Sequence, residues 1–240
     1  MRFKNLFEAQ QFERRAYNNL FSTGNPYDSK AHIMLYQKSV ELIKKYTKKN
    51  YLLLDIGCGD GRLERSLFKY CQRILGIDIS EVAIKKAMLK NKVRNVKFLV
   101  DSIESFKPKE KFDVVTMLNF IEHVYDLNTV MKKVYKLMKP GGFLIITSRN
   151  RDALTWKLSR LFGKKTAIEG GYYTPLNEYN YSQLERILKK QGFLPVSKEG
   201  FILGPIGFAG KSEFLTRLIF GAGSLFPDIA NYMFVCFQKR

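Results

Sequence analysis

No two of the chain's three cysteines, Cys58, Cys71 and Cys236, stand at a spacing that suggests a bridge or a metal clip. A disulfide framework and a zinc site are therefore not expected, and a reducing cytoplasm is the default compartment. Nor is there an apolar run of the roughly 18 residues that would read as a membrane span. The opening MRFKNLFEAQQFERR is interrupted by charge every few residues, so no signal peptide is expected. Internal repeats and low-complexity segments are missing too. Acidic residues are scarce, 22 Asp and Glu against 41 Lys and Arg, for a net charge of +19. The excess runs evenly along the chain, mostly as lysine, whereas a nucleic-acid binder more often gathers it in one stripe. Nucleic acid is thus the disfavoured partner and lysine-coated helix faces are the expected use of the charge. Contact with a polyanion or an anionic membrane surface stays open.

What is present is an ordinary globular composition, 45% hydrophobic and 26% charged over 240 residues, enough for one well-buried domain with a lid. From Tyr51 onward short apolar runs alternate with helical patterns, which predicts a parallel sheet with crossover helices. The runs are YLLLDI (51–56), RILGID (73–78), VKFLV (96–100), FDVVTML (112–118) and GFLIIT (142–147). Leu63 and Leu67 form one short helical stripe. Ser80 is placed to cap a helix reaching to about Lys90, and Asp126 to cap another with Leu127, Val130, Met131, Val134, Leu137 and Met138 on one face. KPGG (139–142) reads as the end of that helix and the turn into the fifth strand. YSQLERILKKQG (181–192) reads as a helix opened by a capping box, Ser182 with Glu185, and stopped at Gly192. FLPVSKEG and NYMFVCFQ read as two closing strands. The expected fold is a single α/β domain with a Rossmann-like, seven-stranded, mostly parallel sheet flanked by helices. Residues 1–50 are expected as an N-terminal helical cap, 51–147 as the core, 148–180 as a basic insertion or lid, and 181–240 as a C-terminal helix with the closing strands.

The turn after the first strand carries the chemistry. Gly57, Gly59 and Gly61 alternate in DIGCGDG, so a ligand is expected to approach the backbone there. A dinucleotide fingerprint would place its third glycine where Arg62 stands, and the Gly-Lys-Ser/Thr of a Walker A loop is absent. Asp55, two residues before the first glycine, would repel a pyrophosphate but could hold an amino group. The phosphate reading loses.

At these residues the chain resembles the class I S-adenosylmethionine-dependent methyltransferases, whose first motif is acidic-x-Gly-x-Gly-x-Gly. The resemblance covers roughly residues 50–147 and continues in order through the ends of the following strands. It implies S-adenosylmethionine as cofactor, with Asp55, Gly57, Cys58 and Gly59 forming the loop beneath it and Asp78 accepting from the ribose hydroxyls. It further implies Ile79 flanking the adenine, Asp101 and Ser102 near its amino group, and Leu118 at the end of the fourth strand. Cys58 is read as a small packed residue offering its backbone. FDVVTMLNFIEHV matches the fourth motif and LMKPGGFLIIT the approach to strand five.

The acceptor is less constrained. Enzymes that methylate amino groups of nucleic acids carry Asn/Asp-Pro-Pro-aromatic at the fourth motif, and LNFIEHV has no proline. IEHV, the insertion and the later Y-S-x-L look most like the ubiquinone-biosynthesis O-methyltransferases and related small-molecule enzymes. That group's motif commonly reads E-x-x-E-H and can bind a divalent metal; here Asn119 replaces the first Glu, while Glu122 and His123 remain, and no metal is assigned. His123 is the candidate general base for an alcohol or phenol, against the alternative of a histidine that only packs. Leu154, Leu158, Leu161 and Phe162, flanked by Arg149, Arg151, Lys157, Arg160, Lys164 and Lys165, predict a basic amphipathic helix over about 152–163. It would close over a hydrophobic or lipid-linked acceptor, touch an anionic membrane peripherally, or simply pack on the domain. FLTRLIFGAGSLF (214–226) and Tyr17, Tyr27, Tyr172, Tyr173 and Tyr179 are candidate walls of the acceptor pocket. The leading reading is methyl transfer to a small-molecule hydroxyl. An RNA or protein methyltransferase and a non-catalytic cofactor-binding module are the alternatives.

Overall fold

A seven-stranded sheet in the order β3-β2-β1-β4-β5-β7-β6 organises the chain. The computed structural model describes residues 3–23, 30–161, 176–202 and 213–240. Strands β1 (Leu52–Ile56), β2 (Arg73–Asp78), β3 (Val96–Val100), β4 (Phe112–Leu118) and β5 (Met138–Arg149) run parallel. Strand β7 (Tyr232–Lys239) lies antiparallel between β5 and β6 (Phe193–Phe201). From β1 the chain builds outward through β2 and β3, then returns to place β4 on the other side of β1. A crevice opens where that direction reverses, at the carboxyl ends of the strands.

Strict alternation divides the sheet's side chains between two cores. Leu54, Val115, Leu144, Ile146 and Val235 point to one face, against α5 (Leu127–Leu137) and α7 (Tyr181–Lys190). Leu53, Val114, Ile145, Phe234 and Cys236 point to the other. There they meet α2 (Lys30–Lys44), α3 (Arg62–Leu67), α4 (Glu81–Lys90) and Phe220 of α8 (Glu213–Leu225). Because both faces are covered, the central strands read as continuous apolar runs rather than alternating ones. Replacing any of these fully buried leucines by alanine costs about 2–5 kcal/mol.

Strands β2, β3 and β4 have the boundaries read from the sequence and β1 starts one residue later, at Leu52; the fifth differs more. Strand β5 begins at Met138, and Lys139 to Gly142 are an irregular stretch within it rather than a separate turn. The register jumps there, Phe112 pairing with Met138 and Val114 with Phe143, and Gly141 takes φ 75°. The crossover from β3 to β4 uses turns instead of a helix. Ser80 caps α4 by accepting from the Ala83 amide at 3.1 Å, and Asp126 caps α5 by accepting from the Asn128 amide at 3.0 Å. The capping box of α7 is Asn180 with Gln183, not Ser182 with Glu185. Starting the helix at Tyr181 puts Tyr181, Leu184 and Leu188 on one buried face, and leaves Glu185 to pair with Lys189 at the surface.

The first helices sit where the site needs a roof. Helix α1 (Leu6–Thr23) turns Leu6, Ala9, Gln10, Glu13, Tyr17 and Phe21 toward the crevice, a single stripe at helical spacing. Helix α2 adds His32, Leu35, Tyr36 and Ser39. No helix among the described residues is long and apolar enough to cross a membrane.

Candidate functional site

Strand β1 delivers the chain into the glycine turn, where Gly57, Gly59 and Gly61 adopt φ of 79°, 55° and 72°. Only glycine takes that left-handed region without strain. At Gly57 there is a second reason, since a Cβ would lie 2.5 Å from the Phe120 ring. The loop's amides are already engaged. Those of Gly57 and Cys58 donate to the Ile77 carbonyl at 2.8 and 3.1 Å, that of Gly59 to Asp78 Oδ2 at 2.9 Å, and that of Gly61 to the Cys58 carbonyl at 3.1 Å. A phosphate cradle depends on amides that point at the ligand. This loop spends three of these on β2 and the fourth on itself.

Asp78 is the hinge of that arrangement. Its other oxygen, Oδ1, accepts from the Ser80 amide at 2.8 Å, so the carboxylate fastens both the glycine loop and the start of α4. A carboxylate offers about four lone-pair sites. Two therefore remain for a pair of neighbouring hydroxyls. Asp55, at the end of β1, is buried and accepts from Thr116 Oγ1 at 2.6 Å. Burial pushes its carboxyl up to about 7, with the Asp78 charge adding to the rise and the Thr116 bond opposing it. Glu64 of α3 lies fully buried against it and is also shifted upward by burial and by Asp55. Two carboxyls so placed hold a proton between them in the absence of a cation. Cys58 is buried and its thiol is pushed up by burial and the surrounding carboxylates, which makes it an inert packing residue.

At the end of β3, Asp101 accepts from the Ser102 amide at 2.8 Å and from the Ser105 hydroxyl. Ser102 Oγ accepts from Gln10 Nε2 of α1 at 3.1 Å. Ile79 and Leu118 supply apolar walls from the ends of β2 and β4. The nine residues expected at the cofactor, and His123, line one cavity together with α1 and α2 side chains.

His123 ends the short 3-10 turn Ile121–His123 that follows β4. Asn119 just before it sits at φ 49°, a left-handed conformation that asparagine tolerates. Tyr17 of α1 meets the imidazole edge-on at 5.6 Å between ring centroids. Glu13, one turn earlier on α1, places Oε2 3.8 Å from His123 Nδ1. Glu13 is only 6% exposed, and neither of its carboxyl oxygens has a hydrogen bond among the described residues. Burial pushes Glu13 up to about 8. It pushes His123 down to about 3, helped by the Arg149 charge. The pair thus rests uncharged at neutral pH, with the spare proton on Glu13.

Glu13 did not emerge from the sequence, nor did Gln10, His32, Tyr36, Arg62 or Phe120. The available signal was the one acidic residue on the stripe of α1 that otherwise holds Leu6, Ala9, Gln10, Tyr17 and Phe21. Glu122 points away from the cavity: its Oε2 accepts from Ser148 Oγ at 2.9 Å, and its carbonyl from the amides of Leu176 and Asn177. Among the described residues no group of three or more His, Cys, Asp or Glu is placed to hold a metal ion. Of the tyrosines considered, Tyr17 lines the cavity; Tyr179 instead packs at the edge of the core beneath α5 and α7. Tyr27, Tyr172, Tyr173, Phe162, Lys164 and Lys165 lie outside the described residues. The described side chains of α8 do not reach the cavity, Phe220 packing on Phe201. The helix expected over 152–163 is α6 (Leu154–Leu161), with Leu154, Leu158 and Leu161 exposed by 38%, 45% and 77%.

Residues 29–198 match the methyltransferase domain family, to which the chain belongs. It is 30% identical over 154 residues to the ubiquinone biosynthesis O-methyltransferase of Pelagibacter ubique, covering 63% of this chain and 61% of that protein. It is also 30% identical over 162 residues to the mitochondrial ubiquinone biosynthesis O-methyltransferase of Homo sapiens, covering 64% and 44%. The chain therefore spans less than two thirds of these relatives' length. Among solved structures, the N-methyltransferase NodS from Bradyrhizobium japonicum in complex with S-adenosyl-l-homocysteine superposes with a TM-score of 0.64 at 16% identity, over 95% of this chain and 98% of that one. A possible histamine N-methyltransferase from Thermotoga maritima gives 0.65 at 19% identity, over 98% and 100%. At such identities these two share the fold.

Proposed function

We propose that this chain transfers the methyl group of S-adenosylmethionine to a hydroxyl oxygen of a small, largely apolar acceptor. The observation that carries the reading is the glycine loop whose amides are bonded to β2 while carboxylates stand at the ends of β1 and β2. Such a loop suits a ligand without phosphate that brings an amino group and vicinal hydroxyls. Asp55 would receive the amino group, Asp78 the ribose hydroxyls, and Cys58 would offer backbone only. Ile79 and Leu118 would flank the adenine, with Asp101 and Ser102 at its edge. When bound, the cofactor supplies a methyl group already activated on a positive sulfur. The protein's own task is then to align the acceptor, exclude water and receive a proton.

His123 lines the same cavity and is held uncharged at neutral pH by burial, and it would be the group to receive the acceptor's proton first. The kinship with O-methyltransferases supports oxygen as the acceptor atom. The exposed leucines of α6, set among basic residues, support a peripheral contact with an anionic membrane or a greasy acceptor. Titration calorimetry with S-adenosylmethionine, S-adenosylhomocysteine, NAD and ATP tests the cofactor reading. Tight NAD or ATP binding with none for the sulfonium would end it. Labelled methyl transfer into cell extract, fractionated into lipid, small molecules, RNA and protein, then identifies the acceptor class. Label recovered in RNA, with affinity falling steeply as salt rises, would replace the small-molecule reading.

A further inference from the structure

We propose that Glu13 is the group that finally takes the acceptor's proton, through His123, and that the cofactor's positive sulfur keeps Glu13 ionised until the methyl group has moved. The proposal rests on the methyltransferase reading and assigns a catalytic duty to the roof helix. Three observations meet here. Glu13 lines the same cavity as the glycine loop and Asp78. Its carboxyl is more than nine-tenths buried with no hydrogen bond to any described residue, a costly state that a ligand or a proton must relieve. And the His123 imidazole lies 3.8 Å from its Oε2, within the range that tightens when a catalytic complex forms.

The charge arithmetic makes the pair directional. Without ligand, burial leaves Glu13 protonated and His123 neutral, a state with little capacity to accept another proton. A positive sulfur in the same low-dielectric cavity favours the carboxylate form of Glu13. The base is thus created when the methyl donor arrives. In the transfer, the acceptor's O–H bond breaks and its oxygen forms a bond to the methyl carbon. The carbon–sulfur bond breaks with its electron pair left on sulfur, and the proton passes by way of His123 to Glu13. One positive charge on sulfur and one negative charge on Glu13 vanish together. Glu13 then holds its proton firmly, because nothing positive remains beside it.

The other groups facing this pair do not supply the same response. Tyr17 packs on His123 from α1. Arg149 of β5 depresses both His123 and His32 of α2, and Arg62 of α3 acts on His32 as well. Asp55 and Glu64 lie on the amino-group side of the cavity. S-adenosylmethionine and S-adenosylhomocysteine both carry that amino group and differ in charge only at sulfur, so the difference between them isolates the response to the sulfonium.

The test needs no acceptor. Proton release on binding each of the two ligands is measured by calorimetry at about pH 7.5 in buffers of different ionisation enthalpy. S-adenosylmethionine should release more, by on the order of half a proton. Its affinity relative to S-adenosylhomocysteine should rise with pH up to about pH 8. In Glu13→Gln the difference in proton release should vanish while S-adenosylhomocysteine still binds within a few-fold of the native protein. Equal proton release by the two ligands in the native protein overturns the proposal, as does a difference that survives in Glu13→Gln. If the variant does not fold, the native affinity ratio decides alone: a flat ratio from about pH 6.5 to 9 overturns the assignment. If neither ligand binds the native protein, the methyltransferase reading fails instead.

Discussion

The two halves of the cavity are built to opposite standards. On the side formed by β1, β2 and β3, the loop and strand-end groups are already bonded: the Gly57, Cys58 and Gly59 amides to β2, Asp78 to two amides, Asp101 to its own turn. Glu64 of α3, against Asp55, is the exception, with no hydrogen bond to its carboxyl oxygens among the described residues. On the side formed by α1 and the end of β4, Glu13 has a buried carboxyl with no hydrogen bond among the described residues. A side that is complete before the ligand arrives binds with little reorganisation and recognises one fixed shape. A side with an unmet polar group is waiting for a chemical event. On the proposed reading the comparison separates holding a cofactor from performing a reaction, and variants in each half should fail differently.

The largest effect is expected on the completed side. Asp78→Ala removes the anchors of the Gly59 and Ser80 amides and, on the proposed reading, the acceptor for two hydroxyls, at about 1.5–3 kcal/mol for each charge-assisted bond. S-adenosylmethionine affinity should fall by roughly 100-fold or more by calorimetry; a change under about threefold would break the comparison. Next comes pH. The raised carboxyl of Glu13 stabilises the fold fully below its ordinary value of 4.5, and that contribution is lost as pH rises through about 8. Asp55 acts in the same direction up to about 7. Thermal melts of the ligand-free protein should therefore drop between about pH 5 and 8, and Glu13→Gln should flatten the drop without lowering stability at pH 8.

A smaller change is expected from Leu158→Glu with Leu161→Glu. Both side chains are largely solvent-facing, so stability should move by about 0.5 kcal/mol or less. Flotation with anionic vesicles at low salt should nonetheless be lost. A double variant that unfolds would place these leucines in the core, and a native protein that never floats would leave α6 a plain lid. The smallest effect serves as the control. Asn180→Ala should cost about 1 kcal/mol through the cap of α7 and leave ligand binding untouched, since it faces neither half.

The contrast also marks how far the sequence could be read. Everything on the completed side is local: glycines, acidic residues and apolar runs lie at the ends of strands adjacent along the chain, and each sits where its spacing placed it. The capping box slipped by two residues because Asn180 and Gln183 can make the same reciprocal bonds as Ser182 and Glu185. Burial of Tyr181, a tertiary matter, decided between them. Strand β5 began early because KPGG reads equally as a turn and as a bulge, and pairing with β4 selected the bulge. Glu13 was invisible for a stronger reason. Its partner lies far along the chain at the end of β4, and no local pattern says which strand end a roof helix will cover.

Helix α1 is tied to the floor on both sides of Glu13. Gln10 reaches Ser102 at the end of β3; Asn18 takes the Ser80 hydroxyl at 2.8 Å; Lys86 of α4 holds the Phe21 carbonyl. On the proposed reading, a spent adenosyl group leaving from beneath the helix would have to loosen these ties, and the same movement would carry Glu13 off His123 and into water. Exit of the product and discharge of the proton would then be a single mechanical event. The base would not be restored until the old cofactor had gone, so each turnover would close as a ratchet rather than as a reversible idle.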